Sequence, residues 1–138
     1  MKRTFKVEDI ESVVEDFLNS LGEAHVIGFS GNLGAGKTTF TKSLLKKRGS
    51  GVNVVSPTFV LRRDYDLGDK EVTHKVIHID AYRLEKPEQI YQVISKEELA
   101  NKNNLIIIEW PEKVNQNIFD RIYKFDHVSD TERSLELM

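Results

Sequence analysis

Apolar positions along this chain recur in two periods, and each change of period marks a new element. Residues 2–7 alternate enough to predict a short strand. Residues 8–21 place Ile10, Val13, Val14, Phe17, Leu18 and Leu21 on one helical face, with acids in the first turn and Gly22 as a stop. The run Val26-Ile27-Gly28-Phe29 predicts a strand, and residues 39–46 a helix that ends near 49–51. Residues 53–56 predict a short strand interrupted by Pro57. Residues 59–67 and 71–82 are rich in β-formers, and Leu67-Gly68-Asp69-Lys70 between them reads as a hairpin turn, so part of the sheet is expected to be antiparallel. Residues 85–102 predict a helix in two pieces: Pro87 suits a first turn, and Ser95 with Glu98 makes a capping box that opens the second. The continuous apolar run at 105–109 predicts a strand covered on both faces. Residues 121–128 and 132–138 predict a closing hairpin around Ser129-Asp130-Thr131. No repeat, low-complexity tract or linker interrupts the pattern, so a single α/β domain over residues 1–138 is expected.

One connection carries chemistry. Between the strand at 26–29 and the helix from 39 lies Gly31-Asn32-Leu33-Gly34-Ala35-Gly36-Lys37-Thr38, which is Gly, four residues, then Gly-Lys-Thr. In a strand–loop–helix context this is the phosphate-binding loop pattern. Its glycines let successive N–H groups point into one concavity, and the positive end of the following helix adds to the attraction for anions. Lys37 is expected to reach the β- and γ-phosphates, and the Thr38 hydroxyl to ligate Mg²⁺. Such a loop needs an acid near the metal, usually where an adjacent apolar strand ends. Two strands end that way, Val76-Ile77-His78-Ile79 at Asp80 and Leu105-Ile106-Ile107-Ile108 at Glu109. Their residues alone do not rank the two acids. His78 shares a strand face with Asp80, where a hydrogen-bonded structural role is expected before a catalytic one. Ser56-Pro57-Thr58-Phe59 follows the loop's helix, where related nucleotidases sense the γ-phosphate; Thr58 is a candidate there, against the reading as an ordinary Pro turn.

Composition narrows the class further. At 138 residues the chain fits one domain, and a net charge of −2 gives no electrostatic case for nucleic acid as the main partner. Cysteine is absent, which excludes disulfides, thiolate metal sites and a Cys nucleophile. No signal-like start and no run near the ~20 apolar residues of a membrane span are visible, so the cytoplasm is the expected compartment and no membrane the expected partner.

Four motifs occur in order: Gly-Asn-Leu-Gly-Ala-Gly-Lys-Thr-Thr at 31–39, Ser-Pro-Thr-Phe at 56–59, His-Ile-Asp-Ala-Tyr-Arg-Leu at 78–84 and Glu-Trp-Pro-Glu at 109–112. Together they closely resemble the bacterial TsaE (YjeE) ATPases of tRNA threonylcarbamoyladenosine modification, over almost the whole chain. The resemblance implies a P-loop NTPase-like three-layer α/β fold, with a mixed, mostly parallel sheet and antiparallel hairpins. It implies ATP and Mg²⁺ as cofactors. It also implies TsaD and TsaB as partners in a TsaBDE-type complex, with tRNA met only through that complex and ATP hydrolysis resetting or regulating the transferase. Carried onto matching positions, Leu33, Gly34, Ala35, Gly36, Lys37, Thr38 and Thr39 hold the phosphates and Thr38 with Glu109 holds Mg²⁺. Asp80 orients water or the metal's hydration shell, and Thr58 lies in a switch-like loop. Arg133 matches an Arg near the nucleotide, and Trp110 the family's characteristic Trp. The alternative is a small P-loop kinase acting on a small molecule or nucleoside. It would need lid arginines, for which only Arg62, Arg63 and Arg83 are at hand. A GTPase is excluded, because Asn101-Lys102-Asn103-Asn104 precedes its strand and ends in Asn.

Overall fold

The buried run Val26–Ser30 forms strand β2 near the middle of an eight-stranded sheet, as seen in a computed structural model that describes residues 2–32, 35–48, 53–55, 61–66 and 75–138. The other strands are β1 (Lys2–Lys6), β3 (Asn53–Val55), β4 (Leu61–Asp66), β5 (Lys75–Asp80), β6 (Asn104–Glu109), β7 (Arg121–His127) and β8 (Glu132–Leu137), in the order β1-β8-β7-β2-β6-β5-β4-β3. The four central strands, β7, β2, β6 and β5, run parallel. Antiparallel pairs flank them on both sides, β1 with β8 and β8 with β7 at one edge, β3 with β4 and β4 with β5 at the other. The expected mixed sheet is thus realised with its parallel part confined to the centre. Residues 67–70, expected to form the turn between β4 and β5, lie outside the described residues, but the antiparallel pairing of those strands is present.

Strand alternation divides the side chains between two cores. On one face Ile27, Phe29, Val76, Leu105, Ile107 and Phe125 meet helices α1 (Ile10–Ser20) and α2 (Lys37–Arg48). The centre of that core is aromatic: Phe17, Phe29, Phe40 and Phe125 pack edge-to-face, with centroids 4.9 Å apart for Phe29–Phe125 and 5.3 Å for Phe17–Phe40. Each such pair is worth about 0.5–1.5 kcal/mol beyond the area it buries, which fixes α2 against β2. On the opposite face Ile77, Ile79, Ile106 and Ile108 lie under Ile90, Ile94 and Val114. Helices on one face and short helical turns on the other make the three layers.

Three local expectations change. Residues 7–9 form a 3₁₀ turn, so the first α-helix starts at Ile10 rather than residue 8. Only Lys96–Ala100 of the stretch 85–102 is α-helical (α3), opened by the expected Ser95/Glu98 capping box. The piece before it, Pro87–Gln92, is a 3₁₀ helix. There Gln89 turns its side-chain oxygen back to accept the Glu85 and Lys86 N–H groups, and a tight turn delivers Ile90 and Ile94 into the core. The β-rich stretch 71–82 does not stay extended to its last two residues: strand β5 ends at Asp80, where the run from Val76 was expected to finish, and the Asp80 carboxylate accepts the Tyr82 N–H at 3.0 Å as the chain turns.

Candidate functional site

Strand β2 delivers the chain to Gly31, whose φ of +136° lies in the range that favours glycine; a Cβ there would meet the Phe125 carbonyl oxygen at 2.4 Å. The loop turns again at Gly36, φ +103°, and the aliphatic stem of Arg133 packs there, its Cγ 3.3 Å from the position of an added Cβ. The Ala35 N–H donates to the Asn32 carbonyl at 3.0 Å, and α2 begins at Lys37. The strand and the helix that flank the motif are present, and Gly31 and Gly36 both hold positive φ. Leu33 and Gly34 lie outside the described residues, as does Thr58 with the rest of the Ser-Pro-Thr-Phe motif.

Lys37 is only 5% exposed. Its ammonium lies 4.0 Å from Glu109 Oε1 and 4.3 Å from the centroid of the Trp110 ring, a cation–π seat. Burial pulls its pKa below the ordinary lysine value, while the charges of Glu109, Asp80 and Glu112 oppose that shift. The two strand-end acids expected near the metal face each other, since Asp80 and Glu109 are register partners across β5 and β6. His78, two residues before Asp80, extends to Glu109, with Nε2 2.6 Å from Oε2. An ionised carboxylate only accepts, so the ring nitrogen donates.

Trp110 follows Glu109 with φ +62°, a left-handed conformation that a bulky side chain rarely adopts and that only a well-determined surrounding sustains. Its N–H donates to the Phe29 carbonyl of β2 at 3.2 Å, Pro111 after it packs against Gly28, and Tyr82 rests on its ring at 5.0 Å. The half-buried Trp110 ring packs against the core formed with Ile79 and Ile108 and carries the loop lysine over its face.

These groups line a cavity of about 450 Å³. Lys37, Thr38 and Thr39 border it on the loop side, and His78, Asp80 and Glu109 on the acidic side. Arg133 borders it at the sheet edge. Phe5, Val7 and Ile10 add an apolar wall beside Arg133, and no local motif signals them because they come from the far end of the chain. Arg63 and Tyr65 also line the cavity. Alternation along β4 puts them on the His78 face and turns Arg62 and Asp64 to the opposite one, a distinction available only once the strand is oriented.

Arg62 is occupied on that opposite face. Its Nε bonds Asp64 Oδ1 at 2.8 Å, and its terminal nitrogens bond Glu98 Oε1 at 3.0 Å and the Val93 carbonyl at 2.7 Å. Hydrogen bonds from Arg62 hold the Glu98 pKa down at about 2. Arg62 is accordingly a structural tie between β4 and α3. Arg83 is exposed and borders no part of the cavity.

Thr38, Asp80 and Glu109 bring side chains with oxygen donors to the cavity lining, beside the His78 ring. No group of three or more His, Cys, Asp or Glu able to hold a metal occurs among the described residues. Hydroxyl and carboxylate oxygens are the donor chemistry that Mg²⁺ takes. No helix among the described residues is long and apolar enough to cross a membrane.

A family model described as Threonylcarbamoyl adenosine biosynthesis protein TsaE matches residues 4–135. Among curated relatives, the tRNA threonylcarbamoyladenosine biosynthesis protein TsaE of Haemophilus influenzae is 34% identical over 119 residues, covering 84% of this chain and 71% of that protein. The Aquifex aeolicus protein of the same name is 38% identical over 110 residues, 77% of this chain and 72% of its own. That of Rickettsia felis is 37% identical over 106 residues, 76% of this chain, and the match spans only 58% of that relative's length. The solved structure of Bacillus subtilus YdiB superposes with a TM-score of 0.59 at 21% identity, covering 99% of this chain and 83% of that one, which supports the fold.

Proposed function

Because this chain belongs to the TsaE family of threonylcarbamoyl adenosine biosynthesis proteins, we propose that it is a Mg²⁺-dependent ATPase of tRNA threonylcarbamoyladenosine modification, acting beside TsaD and TsaB. Its hydrolysis resets or regulates their complex between turnovers, and tRNA is met only through that complex. The observation that carries the reading is the convergence of Lys37, Asp80 and Glu109 on one cavity at the mouth of the glycine loop.

In this reading the loop from Leu33 to Thr39, with the start of α2, receives the phosphates. The Lys37 ammonium offsets charge on the β- and γ-phosphates, where charge grows during transfer. The apolar wall of Phe5, Val7 and Ile10 offers a dry surface for the base, and the Arg133 stem closes that side against Gly36. Thr38 and Glu109 would hold Mg²⁺, which would supply positive charge against the charge that develops on the phosphates. Asp80, shorter and already turned by the Tyr82 N–H, positions the attacking water. Thr58 is assigned to the switch-like loop on the family's pattern.

The test is reconstitution of tRNA modification with cognate TsaD and TsaB, with and without this chain and ATP. Sustained multiple turnover is expected only with both, and phosphate release should be slow for the chain alone and faster with partners. Equal turnover without the chain would end the assignment. Transfer of the γ-phosphate to an added nucleoside or small molecule would point to a kinase instead.

A further inference from the structure

His78 plays no part in the mechanism so far, yet it makes the shortest contact to a site acid, 2.6 Å from Nε2 to Glu109 Oε2. The contact follows from the sheet. Alternation puts Val76, His78 and Asp80 on the helix-bearing face of β5, and Leu105, Ile107 and Glu109 on the same face of β6. His78 is level with Ile107, so Glu109 lies one diagonal step along the neighbouring strand, within reach of a long side chain. Both side chains are largely enclosed, 15% exposed for His78 and 9% for Glu109.

A glutamate has three side-chain torsions to lose before it can present one oxygen in a fixed direction. Here one oxygen is spoken for by a ring nitrogen, and the other lies 4.0 Å from the Lys37 ammonium, on the cavity side. We propose that His78 is a positioning residue: by donating from Nε2 to Oε2 it fixes the Glu109 carboxylate so that Oε1 is presented to the Mg²⁺ of a bound Mg·ATP. This rests on the ATPase reading above. Outer partners of this kind hold a ligand's orientation and are commonly worth 10- to 100-fold in metal affinity.

The test compares His78→Leu, which removes the donor, with His78→Gln, whose amide nitrogen reaches about as far as Nε2. ATP is titrated in EDTA and again in MgCl₂, and binding is read from the fluorescence of Trp110, the chain's single tryptophan, beside Lys37. His78→Leu should bind ATP in EDTA as the wild type does and lose about tenfold or more of the Mg²⁺-dependent gain in affinity, with His78→Gln recovering most of it. In a Glu109→Gln background, His78→Leu should add no further loss, because the histidine acts through that carboxylate. An unchanged Mg²⁺ gain in His78→Leu, an equal loss in EDTA, or a full further loss in the Glu109→Gln background would each overturn the inference while leaving the ATPase reading intact. A wild-type protein with no Mg²⁺-dependent ATP binding would instead remove the parent reading, and this inference with it.

Discussion

Replacing Lys37 by methionine should separate the fold from the function. The ammonium gains about 4 kcal/mol from Glu109 at 4.0 Å if the effective dielectric constant is ~20. Burial nevertheless outweighs that attraction, since the lysine's pKa ends below its ordinary value. The sign follows from linkage. A lysine whose folded pKa lies below its unfolded one binds its proton less well in the folded state, so at neutral pH the charge opposes folding, and the cost is relieved only as pH rises. Methionine keeps most of the stem's volume and carries no charge, and Glu109 retains His78. The nucleotide-free Lys37→Met protein should therefore melt at or a few degrees above the wild type, a gain of about 1 kcal/mol or less. ATP hydrolysis should fall by at least about 100-fold. The stabilisation by ATP should vanish, although at a concentration of 100 Kd it should contribute about 2.7 kcal/mol to the wild type. Thermal melts with and without Mg·ATP, alongside a phosphate-release assay, read all three. Destabilisation by about 3 kcal/mol or more, the scale of a broken buried pair, with ATP stabilisation retained would make Lys37 a structural counter-ion and refute the reasoning.

Glu109→Gln should weaken the Mg²⁺ dependence of ATP binding, whereas Asp80→Asn should leave binding near normal and slow single-turnover hydrolysis; the reverse pattern in quench-flow and binding titrations would exchange the two roles. Gly31→Ala forces a Cβ to 2.4 Å from the Phe125 carbonyl oxygen at a φ of +136°, so urea denaturation should show a loss of about 1–3 kcal/mol or more and nucleotide binding should fall with it. The Glu98 carboxylate is held at about 2 against an ordinary 4.5 by Arg62. Its contribution is thus complete above about pH 4.5 and lost as pH falls towards 2, so the melting temperature should drop steeply through that window and less steeply in Arg62→Met. An Arg62→Met curve parallel to the wild type would show that the tie contributes nothing.

The glycine loop and its two acids were legible because their geometry is local. A strand, six residues and a helix fix where Lys37 points, and period-two alternation places Asp80 and Glu109 at parallel strand ends without knowledge of the rest. What escaped was set by other parts of the fold. Arg62 and Arg63 are neighbours in sequence, and only the orientation of β4 sends one into the Asp64–Glu98 network and the other to the cavity. The wall of Phe5, Val7 and Ile10 depends on β1 joining the sheet beside β8, more than a hundred residues away along the chain. The His78–Glu109 contact needs the register of β5 on β6, which alternation alone does not supply. The 3₁₀ piece at Pro87–Gln92 was missed because its apolar spacing suits either helix, and the Gln89 side chain's backward bonds decide between them.

The strand order also has a consequence for the way this protein is made. β2 ends at residue 30, but its two neighbours in the sheet, β6 and β7, begin at Asn104 and Arg121. On a ribosome the glycine loop emerges early with nothing to brace its strand, and some ninety further residues must be translated before Arg121 can pair with Ile27. Contacts between such distant segments form slowly, since a long loop must be closed before any pairing rewards it. A nucleotide bound at this loop would therefore give no help to the nascent chain until β6 and β7 have been made. Until then the apolar strand Val26–Ser30 stays unpaired and open to other chains, a window in which chaperone supply rather than nucleotide supply should govern the yield of folded protein.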